Sequence, residues 1–280
     1  MRRFLPRAAI LIGVFAALST PLFAQWPPYP TPEVPRTSAG EPDFDGPVPR
    51  TVAGKPDLSG IWERIRSGRG GEQGRPVGEP RAPAPGAPPF ATFWEIGFGF
   101  EDGLPFTPWA RGLKEQRMAD ESKDNPDAYC LPMGHMQFHS HVQPRKIIQT
   151  PEVIVILYEG NAGVRQIFTD GRPSPDNDPL PWWYGYSVGT WEGDTLVVET
   201  THLRDGGWLD YNGSPLTDQG KITERFRRVS YGKMEIDVTI DDPKAYTEPF
   251  TVRVEHRIMP YTSLIEFVCE NEKSTRYFDP

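Results

Sequence analysis

The chain is poor in cysteine, with two in 280 residues, Cys130 and Cys269. That count excludes a disulfide-dense mini-scaffold and a paired zinc knuckle. Histidine is scarce as well, at five. Positive charge is not in excess: the formal net charge is −8. An acidic chain lacks the basic face that nucleic acid or an anionic membrane requires, so neither is expected as a partner. No nucleophile elbow, phosphate loop or dinucleotide glycine pattern occurs. Ser187 lies in Tyr186-Ser187-Val188-Gly189. That segment lacks the first glycine of the elbow pattern, which leaves serine-hydrolase chemistry without support.

The first 24 residues read as a secretory signal. Arg2, Arg3 and Arg7 form a basic start, Ala8 to Leu18 is apolar, and Leu22-Phe23-Ala24 ends in a small residue suited to cleavage. The apolar run is too short to span a bilayer comfortably, so no integral span is expected after processing, and the protein is read as periplasmic or secreted; an uncleaved membrane anchor is the alternative. Cleavage makes the remaining chain more acidic still. In an oxidising compartment Cys130 and Cys269 are expected to pair; a metal-bound or free thiol at Cys130 is the alternative.

Residues 25–55 are rich in Pro, Thr and Gly and read as an extended arm. Residues 56–280 read as one β domain with a low-complexity insertion at 66–89. Phe90 to Trp109 concentrates aromatics between glycines and prolines, which predicts an irregular lid or plug. Pro108 suits a helix first turn, and Trp109 to Glu121 is predicted as one short helix anchored by Leu113 and Met118. Asn125 to Pro144 reads as a loop.

From Pro144 onward the pattern is strand after strand. Strands are predicted at 57–63, 145–150, 153–159, 164–169, 184–191, 195–203, 222–229, 233–241, 250–258 and 263–269, with turns at Pro151-Glu152, Glu192 to Asp194 and Tyr231-Gly232. In 234–240, Met234, Ile236, Val238 and Ile240 alternate with polar residues, so one face is dry and one wet. Such a series predicts an all-β fold, an antiparallel meander of about eight to ten strands closing into a barrel.

Gly60-Ile61-Trp62 resembles the Gly-x-Trp opening of lipocalin-type barrels, in which the Trp closes one barrel end, and Gly189-Thr190-Trp191 repeats it. Several longer segments resemble an uncharacterised family of exported bacterial proteins. They are Lys55 to Trp62, Thr107-Pro108-Trp109-Ala110, Cys130-Leu131-Pro132, Asp170-Gly171-Arg172-Pro173, Val188 to Val198, Thr239 to Pro243 and Phe267-Val268-Cys269. The resemblance implies export, a β-rich body and pairing of the two cysteines; it implies no activity. Relatives in that family carry His after Arg-Pro and His before Ser-Val-Gly, where this chain has Ser174 and Tyr186. A role requiring either His is therefore in doubt here.

Three sets of residues could carry chemistry. His135, His139 and His141 follow Cys130 closely; on an extended segment His139 and His141 point to one side and with His135 could hold zinc or copper. The plainer reading is a hydrogen-bonded polar loop. Trp182, Trp183, Tyr184 and Tyr186 could stack on a sugar, phenolic or terpene-like ligand together with Trp94, Trp109 and Arg165. Filling of a barrel end is the alternative. His202 with Asp210, and Tyr184 beside them, form a candidate acid–base set. Asp170 and Asp194 read as turn residues, His256 as a satisfied core histidine, and Glu224 to Arg228 as a solvated strand face. Three functions follow: an exported barrel binding a small hydrophobic, phenolic or glycosidic ligand, a periplasmic lyase or hydrolase using the histidines, or a structural or interaction module of the envelope with the proline-rich arm as its contact.

Overall fold

Nine strands close into a barrel in this computed structural model, which describes residues 34–65, 83–175 and 180–270. They are β1 (Gly60–Arg64), β2 (Arg145–Gln149), β3 (Val153–Tyr158), β4 (Val164–Phe168), β5 (Tyr186–Glu192), β6 (Thr195–Thr201), β9 (Lys221–Arg228), β10 (Lys233–Asp241) and β11 (Phe250–Ile258). A short hairpin, β7 (Gly207–Trp208) with β8 (Pro215–Leu216), stands apart. Around the wall the order is β1-β11-β10-β9-β6-β5-β4-β3-β2. Every neighbouring pair is antiparallel except β4 with β5, which run parallel. The meander expected from the sequence is therefore correct but for one crossover, between β4 and β5.

The predicted strand at 263–269 does not form; that stretch is coil. β11 already pairs β10 on one side and β1 on the other, so closure leaves no open edge for another strand. The tail instead crosses to the disulfide between Cys130 and Cys269, which sets aside a thiol or metal role for Cys130.

Alternation decides what fills the barrel. β10 buries Met234, Ile236, Val238 and Ile240, and β11 buries Phe250, Val252, Val254 and Ile258. Trp62 is fully buried, donates from Nε1 to the Leu58 carbonyl at 3.0 Å, and lies under the Arg228 guanidinium at 4.9 Å. It closes the end at which β1 begins, as the Gly-x-Trp opening suggested.

The stretch from Val34 to Asp57 is docked over that same end as two tight turns of one design. In each an Arg reaches across a left-handed glycine: Arg36 Nη1 donates to the Gly40 carbonyl at 2.7 Å, and Arg50 Nη1 to the Gly54 carbonyl at 3.0 Å. The sequences match, Pro-Arg-Thr-x-Ala-Gly-x-Pro-Asp at both places. The first turn packs on the β9–β10 connection, where Gly232 N–H bonds the Phe44 carbonyl at 2.8 Å. The second clamps the β5–β6 turn through Arg50 and Asp194, at 2.7 and 2.6 Å.

Irregular chain covers the opposite end. α1 (Pro108–Ala119) starts as predicted, with Thr107 capping the Ala110 N–H. Its expected anchors do not hold it: Met118 is exposed and Leu113 only half-buried. Arg117 does, bonding the Gly213 carbonyl at 3.0 Å and stacking on Trp208 at 4.3 Å. The aromatic segment at 90–106 is pinned by Phe90, Ile96 and Leu104, all buried, and by Phe100 and Phe106 against the core, while Trp94 and Phe98 stay exposed. The loop expected at 125–144 contains a second, six-residue helix, α2 (His135–Ser140), which enters the barrel mouth. The predicted signal at 1–24 lies outside the described residues, as do most of the insertion and the first part of the arm.

Candidate functional site

α2 begins after Gly134, whose φ of 81° suits glycine, and has no side-chain N-cap. Met136, Gln137, Phe138, His139 and Ser140 are all buried. Five successive buried residues span more than a full helical turn, so this stretch fills a hole rather than covering a face. Phe138 stacks on Tyr158 of β3, with ring centroids 4.1 Å apart and planes 11° from parallel. His139 Nε2 meets Glu224 Oε1 of β9 at 2.5 Å.

Beneath α2 a polar row crosses four adjacent strands: Arg165 on β4, Ser187 on β5, Thr200 on β6 and Glu224 on β9. The register sets this row, with Ser187 opposite Thr200 and Ile167 beside Ser187, so that the inward positions fall level. Arg165 grips Glu224 with both terminal nitrogens, Nη1 to Oε1 at 2.9 Å and Nη2 to Oε2. It also donates from Nη2 to Ser187 Oγ at 3.1 Å and to Thr200 Oγ1 at 3.0 Å. Burial pulls the Arg165 guanidinium down, but Glu224 more than offsets this, and its pKa ends above the ordinary value.

Arg145 on β2 fastens the end of α2. Its Nη1 donates to the His139 carbonyl at 3.2 Å, and its Nη2 to the carbonyls of His141 at 3.2 Å and Gln143 at 3.4 Å. Nη1 also lies 2.8 Å from His256 Nε2. The same Nε2 lies 3.0 Å from the His139 carbonyl, so it stands between a guanidinium that can only donate and an oxygen that can only accept. Burial lowers the pKa of His139 and, together with Arg145, drops that of His256 well below the ordinary value. Burial brings His141 to about 4 and Arg145 to about 10. Both histidines inside the barrel are thus neutral near pH 7.

The fit between plug and wall is imperfect. Gln137 Oε1, Arg145 Nε, Tyr158 Oη and His256 Nδ1 are buried and meet no hydrogen-bond partner. All four lie on α2 or on the wall around it. Tyr158 Oη stands beside Arg165, a donor only, and its own O–H finds no acceptor. On the outer side of α2 a crevice of about 20 Å³ is lined by Met133, Met136, Trp183, Leu203, Trp208 and Ile222. That is room for about one water. A wider cleft of about 280 Å³ runs along α1, between Glu95, Leu104, Phe106, Arg111, Lys114 and Met118. Its Lys114 is already held by Glu95 at 2.6 Å, so it is the less demanding environment.

The sequence-predicted residues divide among several places. Arg165 and His139 come together through Glu224, and Tyr184 leans on Phe138 at 5.9 Å. Trp183 lines the crevice under the Arg204 guanidinium at 4.8 Å. The remaining aromatics are spread over the outside: Trp94 against Tyr211, Trp109 against Lys244, and Trp182 against Tyr186, which also stacks on Phe168. His202 Nδ1 bonds Thr201 Oγ1 at 2.8 Å. Asp210 is occupied by the Ile96 and Ser214 amides, each at 2.9 Å, and by Ser214 Oγ at 2.6 Å. These two residues are not bonded to each other. The extended-segment geometry assumed for His139 and His141 does not occur, because helix α2 sends His139 inward while His141 packs on Phe93 at 5.0 Å. Among the described residues, no group of three or more His, Cys, Asp or Glu side chains is placed to hold a metal ion.

Sequence reading missed Glu224, Arg145, Tyr158 and Phe138. For Glu224 a signal existed: alternation along β9 groups it with Ile222 and Phe226, and it faces the core rather than water. Comparison of the chain with protein-family models, with curated proteins and with solved structures finds no match.

Proposed function

We propose that this protein is an exported barrel that binds a small organic molecule, part apolar and part polar, at the end closed by α2. The observation carrying this reading is the cluster of unpartnered polar atoms at the α2 seam. A buried polar atom left without a partner costs about 1–3 kcal/mol. A fold that only needed a filled core would place apolar side chains there, as β10 does with Met234, Ile236, Val238 and Ile240. Perturbed titratable groups gathered in one enclosed place favour a site over a purely structural role. Export is supported by the Cys130–Cys269 disulfide and by the basic, then apolar, start of the chain.

Space bears on how binding works. Organic ligands occupy pockets of roughly 300–1,000 Å³. The crevice beside α2 is far smaller, so a ligand enters only as α2 yields. A six-residue helix has little stability of its own and depends on its tertiary contacts, so its displacement is a local event. Trp183 and Trp208 line the crevice and serve as reporters. Tryptophan fluorescence titrated with hydrophobic, phenolic and glycosidic compounds is expected to change saturably for at least one class and to lose most of that change in Trp183→Phe. A folded protein silent across the panel refutes the reading.

The lyase or hydrolase reading rests on one contact, His139 with Glu224. It predicts turnover of the bound compound that His139→Gln abolishes while binding persists. Binding without turnover removes it.

A further inference from the structure

The plug itself carries information about what it excludes. Every wall of the site beneath α2 comes from a strand: Arg145, Tyr158, Arg165, Thr200, Glu224 and His256 belong to six strands of the barrel. The wall of the site is therefore built on the barrel and not on α2. α2 contributes two groups to it. The Phe138 ring lies flat on Tyr158, and the His139 ring brings one nitrogen to Glu224 at 2.5 Å. An aromatic face and a hydrogen-bonding group beside a carboxylate are what a ring with a polar substituent would present.

We infer, building on the binding reading above, that the ligand is a hydroxylated aromatic ring, a phenol, which takes the place of Phe138 and His139. Its ring stacks on Tyr158. Its hydroxyl donates to Glu224, whose second oxygen stays with Arg165. The phenol oxygen also has lone pairs to offer, and the plug leaves two buried donors unused, the Tyr158 O–H and the Arg145 Nε–H. Phe138 can satisfy neither donor, whereas a phenol oxygen can accept from one of them. A sugar fits less well, because its several hydroxyls need more partners than this mouth supplies. A purely hydrocarbon ring replaces Phe138 but leaves Glu224 without the group that His139 had supplied.

Hydrogen exchange and calorimetry with 4-methylphenol and toluene test this on the full processed chain. 4-Methylphenol is expected to bind saturably, at least tenfold tighter than toluene, and to speed amide exchange across Met136–Ser140 as α2 leaves. Phe138→Ala, which empties the ring position without touching a charge, is expected to tighten 4-methylphenol several-fold by removing the competitor. Phe138→Leu serves if the alanine variant does not fold. Binding of 4-methylphenol with exchange at Met136–Ser140 unchanged overturns the inference and the placement at α2, and leaves standing only that the barrel binds a small organic molecule. Saturable binding of a sugar or terpene with none of the phenol overturns the inference and leaves the binding reading standing. No binding by any compound overturns both.

Discussion

Glu224 is the residue on which the interior depends. Its carboxylate has no exposed surface, and it holds both Arg165 and His139. Removing one member of a buried ion pair leaves the other charge stranded, at a cost of about 3–5 kcal/mol. Glu224→Gln is expected to lower stability by that order in urea unfolding, and the double change Glu224→Leu with Arg165→Met to recover much of it. A double variant no more stable than Glu224→Gln contradicts this. The sequence placed Glu224 on a wet face because three arginines surround it. Arg225 and Arg227 do point outward, to Glu192 and Glu235. The alternation that sends them out sends Glu224 in. His256 shows the opposite case: four apolar partners on its strand face announced a core position, and its Nε2 meets both Arg145 and the His139 carbonyl.

Among the elements, the strands were the most legible, because each carries its own period of two. Eight of the predicted spans coincide with β2 to β6 and β9 to β11 to within a few residues, and the ninth is β1. α2 was not legible. His-Met-Gln-Phe-His-Ser has no helical stripe, and only the barrel mouth makes a helix of it. The two docked turns separate what packing contributes from what exposed charge contributes. Arg50 and Asp194 are both well exposed, so Arg50→Ala is expected to cost no more than about 1 kcal/mol despite its two bonds. Leu58, at the end of the same turn, is 1% exposed, and Leu58→Ala is expected to cost about 2–5 kcal/mol. Urea midpoints of the two variants check the order, and a reversal would move the role of this segment from packing to ion pairing.

For the whole molecule, the two ends of the barrel differ in chemistry. One is sealed by Trp62, Arg228 and the docked turns, with its buried groups satisfied. The other holds the neutral histidines and the unfilled donors. This difference sets the response to acid. His139, His141 and His256 all have native pKa values below the 6.5 of an unfolded histidine, with burial as the first cause. As pH falls through 6.5 the unfolded chain takes up protons that the native state refuses. Stability is therefore fully present above pH 7 and is lost as pH falls from about 6.5 toward 4. His141 alone accounts for up to about 3 kcal/mol of this, at 1.36 kcal/mol per pKa unit. Urea midpoints measured from pH 8 to 4.5 are expected to be flat and then to fall, with a shallower fall in His141→Gln; a profile flat to pH 4.5 contradicts the burial of these rings. The disulfide, at a sequence separation of 139, ties the loop before α2 to the chain's far end and so braces this same mouth.

The sequence by itself determined the strands, their inward faces, the all-β class and the pairing of two lone cysteines, because periodicity and composition act locally and survive without knowledge of neighbours. Only the tertiary structure decided where the barrel closes, that no tenth strand could join it, and which polar side chains share its interior. Those outcomes depend on register across strands and on what stands opposite, and a residue such as Glu224 becomes a buried partner or a surface charge only when the wall around it is complete.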